Sequence, residues 1–249
     1  ETIGPIDSLD AFHTYELYRH ALWRKLPPLA NNVTCLPEHP LRKDYVFTID
    51  PEGCNDFDDA FSVSKDYLSI YISNVPLLLS NVSYWDWKQV ATIYASHKTR
   101  PMLPTQLSHS LCSLKDDGKQ KQCIVLDIHR QTGEKRVSLC QVVCSDNFVY
   151  EEKNLLHLSE YHILQKYAKE QVNWIHDSHD VVAYFMILWN QWAAQNVPHI
   201  VYRGTIANET NLQHFPYRGV YTLTKSKHAL LQNEYYGHFT SPIRRLVDN

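Results

Sequence analysis

The sequence predicts an α+β domain: a mixed, largely antiparallel sheet flanked by helices. Three observations carry that expectation. Short β-branched and aromatic runs recur between residues 45 and 143, the composition that suits a pleated, half-buried surface. Gln131-Thr132-Gly133-Glu134 separates two alternating stretches, which is a hairpin signal. From about Glu151 to Asn196 the apolar spacing turns helical. Strands first and helices later favour α+β over a regularly alternating α/β chain.

The elements follow in order. Residues 8–25 predict a helix capped by Asp10, with Phe12, Tyr15, Leu17 and Leu22 at helical spacing. Residues 26–44 hold four prolines and two asparagines and predict an extended connector. Tyr45-Val46-Phe47-Thr48-Ile49 is a short strand that delivers the chain into Asp50. Phe61-Ser62-Val63 and Leu68–Ile72 are the next strands, and residues 84–95 suggest a helix. Cys123–His129 and Lys135–Val143 alternate as the two arms of the hairpin. Val181–Ala194, rich in Phe, Ile, Leu and Trp, predicts a buried helix. Val201-Tyr202-Arg203 is a further strand, and the last residues are expected to begin a helix. Residues 1–41 are thus a helix and connector, and residues 42–249 one domain.

Composition narrows the function classes. With 44% hydrophobic and 20% charged residues, the 249-residue chain reads as an ordinary globular protein. No apolar run approaches the roughly 20 residues of a membrane helix, and no membrane partner is expected. The first residues lack the basic and apolar blocks of a signal peptide. None of the six cysteines forms Cys-x-x-Cys, so reduced structural thiols and an intracellular, cytoplasmic setting are expected. A net charge of −3 argues against a broad basic face but leaves room for a narrow basic channel. Neither G-x-x-x-x-G-K nor G-x-G-x-x-G occurs, which speaks against a nucleoside triphosphatase or a dinucleotide enzyme.

The chemistry concentrates in two places. Aspartates stand at 50, 56, 58 and 59, and Pro51 and Gly53 make the intervening segment a turn able to fold the later three back on the first. Four carboxylates that close need a counter-charge. Hard oxygen ligands suit Mg2+ or Mn2+, and carboxylate-held magnesium is the common phosphoryl-transfer arrangement. The bland alternatives are an acidic surface turn or a calcium loop. The calcium loop fails, because Asn55 and Phe61 stand where its Gly and Glu belong. The second place is Tyr236–Arg245. Thr240-Ser241-Pro242 reads as a capped helix start, whose N-terminus favours phosphate. Arg244 and Arg245 follow, and guanidinium groups fork onto phosphate oxygens. Alone, this string reads better as a capped helix with two solvent-facing arginines.

Three strings resemble one family. Thr48-Ile49-Asp50-Pro51-Glu52, running on to Asp56-Phe57-Asp58-Asp59-Ala60, is similar to the catalytic motif of the ribonuclease II, ribonuclease R and exosome-exonuclease family, with its RNB catalytic domain. Pro101–Leu114 and His238–Arg245 resemble two further family motifs in the family's order, with weaker matches at Ser145–Glu152 and Val201–Arg203. The resemblance spans residues 42–249. It implies a magnesium-dependent hydrolytic 3′-to-5′ exoribonuclease that turns single-stranded RNA into nucleoside 5′-monophosphates. It further implies that Asp50, Asp56, Asp58 and Asp59 hold the metal and position water, with Asp58 the essential member. Tyr94 would stack on the terminal base, Arg244 would contact the scissile phosphate supported by Arg245, and Thr240 and Ser241 would help bind substrate.

The sequence also departs from the family pattern. Ile72-Ser73-Asn74-Val75 lacks an acid that the family has, and Leu246 replaces an aromatic. The chain stops soon after Arg245, so a C-terminally incomplete catalytic domain is expected, with auxiliary RNA-binding domains left to protein partners. Two alternatives stay open: a catalytically inactive RNA-binding or scaffold protein with the same fold, and a phosphodiesterase acting on DNA or a small nucleotide.

Overall fold

The computed structural model describes residues 5, 8–20, 37–81, 89–95, 98–207 and 217–249. Strand β1 (Val46–Asp50) pairs antiparallel with β2 (Asp59–Val63), and β2 with β3 (Tyr67–Ser73). The long hairpin of β6 (Gln120–His129) and β7 (Lys135–Val149) adds antiparallel to β3. Strand β7 then returns to β1 in parallel, from Val46↔Cys144 to Asp50↔Val149, and closes a five-stranded barrel. The predicted sheet is therefore mixed and largely antiparallel, with one parallel pair that local pattern could not reveal.

Alternation along the strands sorts two cores. Phe47, Ile49, Phe61, Ile70 and Leu126 pack against the helices. The intervening Val46, Ala60, Cys123, Val125 and Cys140 form a second cluster with Tyr71. Successive residues of a strand face opposite ways, so this second set lines the barrel. Its small side chains suit a narrow five-stranded interior.

A short helix, α2 (Val75–Asn81), follows β3, and the later helical stretch is three helices: α3 (Lys153–Leu156), α4 (Ser159–Gln171) and α5 (Ser178–Asn196). Asp177 caps α5 by accepting from the Asp180 amide at 3.0 Å. Val181, Phe185, Trp189 and Ala193, at spacings of four, are buried against the barrel. The predicted strand at 201–203 extends as β8 (Tyr202–Ala207) and pairs with β9 (Tyr217–Thr222).

Three expectations are corrected. Helix α1 is Leu9–Arg19 and is capped by Ser8, whose hydroxyl accepts from the Ala11 amide. Asp10 instead pairs with Arg100 at 2.7 Å and Lys98 at 3.2 Å. No described residue of α1 is buried, and Phe12 and Tyr15 are exposed, so polar contacts hold this helix; Leu22 lies outside the described residues. The helix expected over 84–95 falls partly on residues outside the description. Its described end is a two-stranded hairpin of β4 (Ile93–Ala95) and β5 (Lys98–Arg100), where Ile93 pairs with Arg100. Finally, the expected C-terminal helix is one turn over 242–244 followed by a 3-10 turn at Leu246–Asp248. A bridge from Ala91 to Arg245 and the Leu246 amide donating to Val90 draw this backbone off a helical path.

Among the described residues, no helix is long and apolar enough to cross a membrane.

Phe185 is fully buried and its ring lies 5.7 Å from that of Phe61. Phe185→Ala should therefore destabilise the fold by about 3–5 kcal/mol, read from urea unfolding; a loss below about 1 kcal/mol would refute the barrel-to-α5 packing.

Candidate active site

The acidic residues meet at one end of the barrel because of register. Phe47 pairs with Phe61 across the antiparallel β1 and β2, which brings Asp50, at the end of β1, level with Asp58 and Asp59, at the start of β2. The Ser73 amide of β3 donates to the Asp58 carbonyl at 2.9 Å, and the Tyr150 amide donates to the Asp50 carbonyl at 3.1 Å. The loop between β1 and β2 turns tightly. Gly53 takes φ +77°, a region open to glycine, and the Cys54 amide donates to the Pro51 carbonyl.

Ser113 clamps that loop. Its hydroxyl accepts from the Phe57 amide at 3.1 Å and donates to the Asn55 carbonyl at 2.8 Å. The Leu114 amide donates to the Phe57 carbonyl, and the Phe57 ring enters the barrel core. The motif at 101–114 thus supports the acidic loop from below.

The C-terminal turn supplies the counter-charge. Ile243 buries its side chain with Leu78, Leu103 and Leu107, and its amide donates to Asp58 Oδ1 at 2.7 Å. The Arg244 Nε donates to Asp58 Oδ2, and its Nη2 donates to the Ser241 hydroxyl at 3.2 Å. Burial pushes the Asp58 carboxyl up to about 7, against the downward pull of Arg244 and the Ile243 amide. Burial likewise opposes the charge of Arg244, but Asp58 outweighs it and the guanidinium stays protonated. The two form an ion pair when Asp58 is ionised, a state reached as pH rises through about 7.

Asp50 and Asp59 are left with less. Each is buried and keeps one carboxylate oxygen, Oδ2, without a hydrogen-bond partner. Burial, then Asp56 among the neighbouring charges, moves Asp50 up to about 6, while Thr48 and Arg244 oppose the shift. Burial and the charge of Asp50 raise Asp59 well above the usual carboxylate range. Orphaned buried oxygens on mutually repelling carboxylates fit a hard cation. Asp58 fits less well, since both its oxygens are already engaged. Among the described residues, no three His, Cys, Asp or Glu side chains are gathered as a ready metal-binding group.

A cleft of about 480 Å³ opens in front of this cluster. Asp50, Asp56, Tyr94 and Arg244 line it, together with Cys54, Asn55, Thr99 and His109. Tyr94 is 60% exposed, and its hydroxyl donates to Asp56 Oδ2 at 3.3 Å. Its ring is therefore a wall of the cleft and not a core side chain.

The other sequence candidates lie elsewhere. Thr240 is buried, and its hydroxyl accepts from Asn190 at 3.2 Å. Arg245 is committed to Asp248 at 2.8 Å, and Ser241 reaches the site only through Arg244. Sequence reasoning overlooked Cys54, whose thiol lies 3.8 Å from Asp50 and 3.6 Å from Asp56. It also overlooked Tyr150, which feels Asp59 and Asp50 most strongly of the neighbouring charges. The parallel pairing of β1 with β7 places Tyr150 there, and no local signal announces such a pairing.

Comparison with known proteins accords with this geometry. Residues 38–152 match the RNB domain. Ribonuclease R of Mycoplasmopsis pulmonis is 33% identical over 110 residues, covering 37% of this chain and 15% of that protein. Ribonuclease R of Chlamydia muridarum is 40% identical over 83 residues, covering 30% and 12%. Among solved structures, Mycoplasma genitalium RNase R in complex with ribose-methylated single-stranded RNA superposes with a TM-score of 0.68 at 18% identity, covering 85% of this chain and 49% of that one. Yeast Ssd1, described as a pseudonuclease, gives 0.73 at 14% identity, covering 99% and 45%. At those identities the likeness is one of fold. The matches span a small part of the curated relatives and about half of each solved chain. The family resemblance is upheld over residues 38–152, which match the RNB domain, and the motifs at 201–203 and 238–245 lie beyond that match.

The raised carboxyls have a thermodynamic consequence. Groups whose folded pKa exceeds the unfolded value near 3.8 favour the fold below that value and lose this contribution as pH rises through the folded pKa. For Asp50 the difference is worth about 3 kcal/mol. In EDTA, Asp59→Asn should therefore melt several degrees above the parent at pH 8, with the gain vanishing near pH 4. An equal gain at both pH values would show that charge burial is not the cause.

Proposed function

We propose that this chain is a magnesium-dependent hydrolytic 3′-to-5′ exoribonuclease that degrades single-stranded RNA to nucleoside 5′-monophosphates, with residues 42–249 as its catalytic domain and 1–41 as an N-terminal arm. The relatives that share its RNB domain are named Ribonuclease R, and one structural neighbour is described with bound single-stranded RNA. The observation that carries the reading is the pair of orphaned, buried carboxylate oxygens on Asp50 and Asp59 beside Arg244.

The residues divide the work. Asp50, Asp59 and Asp56 would hold magnesium, or manganese, and Asp58 joins them if Arg244 turns from it toward substrate. The ion supplies Lewis-acid polarisation of the phosphodiester and an activated water. Arg244 is the only arginine or lysine lining the described cleft, so it receives the scissile phosphate and stabilises the charge that grows there. The exposed Tyr94 ring offers a π-face to the terminal base, a contact that tolerates every base. Arg245 supports Arg244 indirectly, by fixing the turn through Asp248. Protein partners would supply the RNA-binding modules that lie outside the matched span, and the setting is cytoplasmic.

One observation favours a second reading. Asp58 is saturated by Arg244 and Ile243, and no acidic triad stands ready. A catalytically inactive RNA-binding protein would keep such a closed pair.

The deciding experiment uses 5′-labelled single-stranded RNA and matched DNA, with magnesium or EDTA. A shortening RNA ladder in magnesium only is expected, with Asp58→Asn slowing it about 100-fold or more. Intact RNA that remains bound would establish the inactive reading, and equal cutting of DNA would establish a broader phosphodiesterase. Tyr94→Ala, at an exposed position, should leave the melting temperature within about 1 °C yet change the length of the final product. Unfolding of that variant would contradict the cleft-wall role.

A further inference from the structure

A second cluster of charge and aromatic rings lies outside the cleft, where β8 and β9 meet residues 223–238. Arg203 of β8 stands opposite Tyr221 of β9, with its guanidinium carbon 4.6 Å from the ring centroid. The guanidinium lies along β9 because Gly219, on the same strand face, has no side chain. A Cβ there would come within 2.0 Å of Nη2. The Tyr221 hydroxyl bonds His238 Nδ1 at 2.9 Å, and the His238 ring meets Tyr236 edge-on, as Tyr236 meets His228.

The positive charge of this cluster is that of Arg203. No carboxylate among the described residues forms an ion pair with Arg203. Burial, then the charges of Arg245 and Arg203, push the His238 imidazole down to about 3, so His238 is a neutral partner. Nearby, Lys225 sits 4.7 Å from the Tyr235 ring centroid and is exposed. Residues 201–249 carry six Lys and Arg against three Asp and Glu, in a chain whose net charge is −3. The cluster is also tied to the cleft. The Arg203 amide donates to the Tyr236 carbonyl at 2.6 Å, and Tyr202 bridges Gly237. From His238 the chain reaches Arg244 in six residues, roughly 20 Å even if fully extended.

We infer that the Arg203–Tyr221–His238 cluster is a phosphate-backbone site for single-stranded RNA, holding the strand a few nucleotides from the bond that faces Arg244. The guanidinium fork takes a phosphate, and the 47%-exposed Tyr221 ring takes a base. The inference rests on the ribonuclease reading for its choice of polymer, but its test reads binding alone.

The test is fluorescence anisotropy of a labelled 12-nucleotide oligouridine with the full chain in EDTA, over a range of salt. Arg203→Ala should weaken binding about tenfold and reduce the slope of log K against log salt by about 0.7, the share of one phosphate. Gly219→Ala should weaken binding in the same direction by displacing the guanidinium. Lys166→Ala, an exposed position on α4, should change nothing. If Arg203→Ala fails to fold, Tyr221→Leu and the exposed Lys225→Glu carry the test through weakened binding. Binding within twofold of the parent in the folded variants overturns the inference, as does an absence of RNA binding by the parent. So does an acidic peptide that binds more tightly than the RNA and loses that binding in Arg203→Ala. RNA that binds as expected but is not cut when magnesium is restored would sink the exonuclease reading and leave this site standing.

Discussion

The contact between Asp58 and the turn at 243–244 is the interaction on which the rest of the site depends. A fully buried carboxylate survives only with donors on its oxygens. Here one oxygen takes a backbone amide and the other a guanidinium, both from residues about 185 positions away. The apolar anchoring of Ile243, the Ala91–Arg245 bridge and the Arg245–Asp248 pair all hold that turn in place. The barrel supplies an acidic end, and the C-terminal turn caps it. Neither half is a site alone.

Much of this was legible in the sequence, and the reasons for the remainder are physical. The strands at 45–49, 61–63 and 68–72 and the 123–143 hairpin read correctly because their signals are local: alternation, β-branched content and a glycine turn. The burial of α5 was legible from its apolar run. What failed was decided by distant partners. Thr92 and Ile93 are pulled into β structure near the C-terminal turn, where the Thr92 amide donates to the Arg244 carbonyl. The same contacts unwind the helix that Thr240-Ser241-Pro242 would otherwise start. Of the site, the acidic run, Tyr94 and Arg244 were found from their motifs. The clamp by Ser113 and the nearness of Tyr150 were not, because side-chain clamps and parallel pairings leave no periodic trace.

The energetics of the cleft also explain its composition. Buried carboxylates this close repel one another, and burial with that repulsion raises Asp50 and Asp59. Arg244 offsets part of it. Cys54, wedged between Asp50 and Asp56, adds a weak donor and no charge, since burial and those two acids push its thiol far up. Tyr94, on β4, and Arg244 reach directly to the acids, whereas Arg203 and Tyr221 lie on the separate β8–β9 hairpin.

The parallel closure between β1 and β7 has a consequence for how the molecule is made. Its partners lie about a hundred residues apart, so the loop they close is long and its entropy must be met before the pairing stabilises anything. The acidic strand is synthesised early, its barrel neighbour much later, and its guanidinium partner later still. In a nascent chain the aspartates of β1 and β2 are close in sequence but lack the burial and the guanidinium that come with the later elements. The shifted acidity of the cluster therefore depends on burial that only the closed barrel and the C-terminal turn supply.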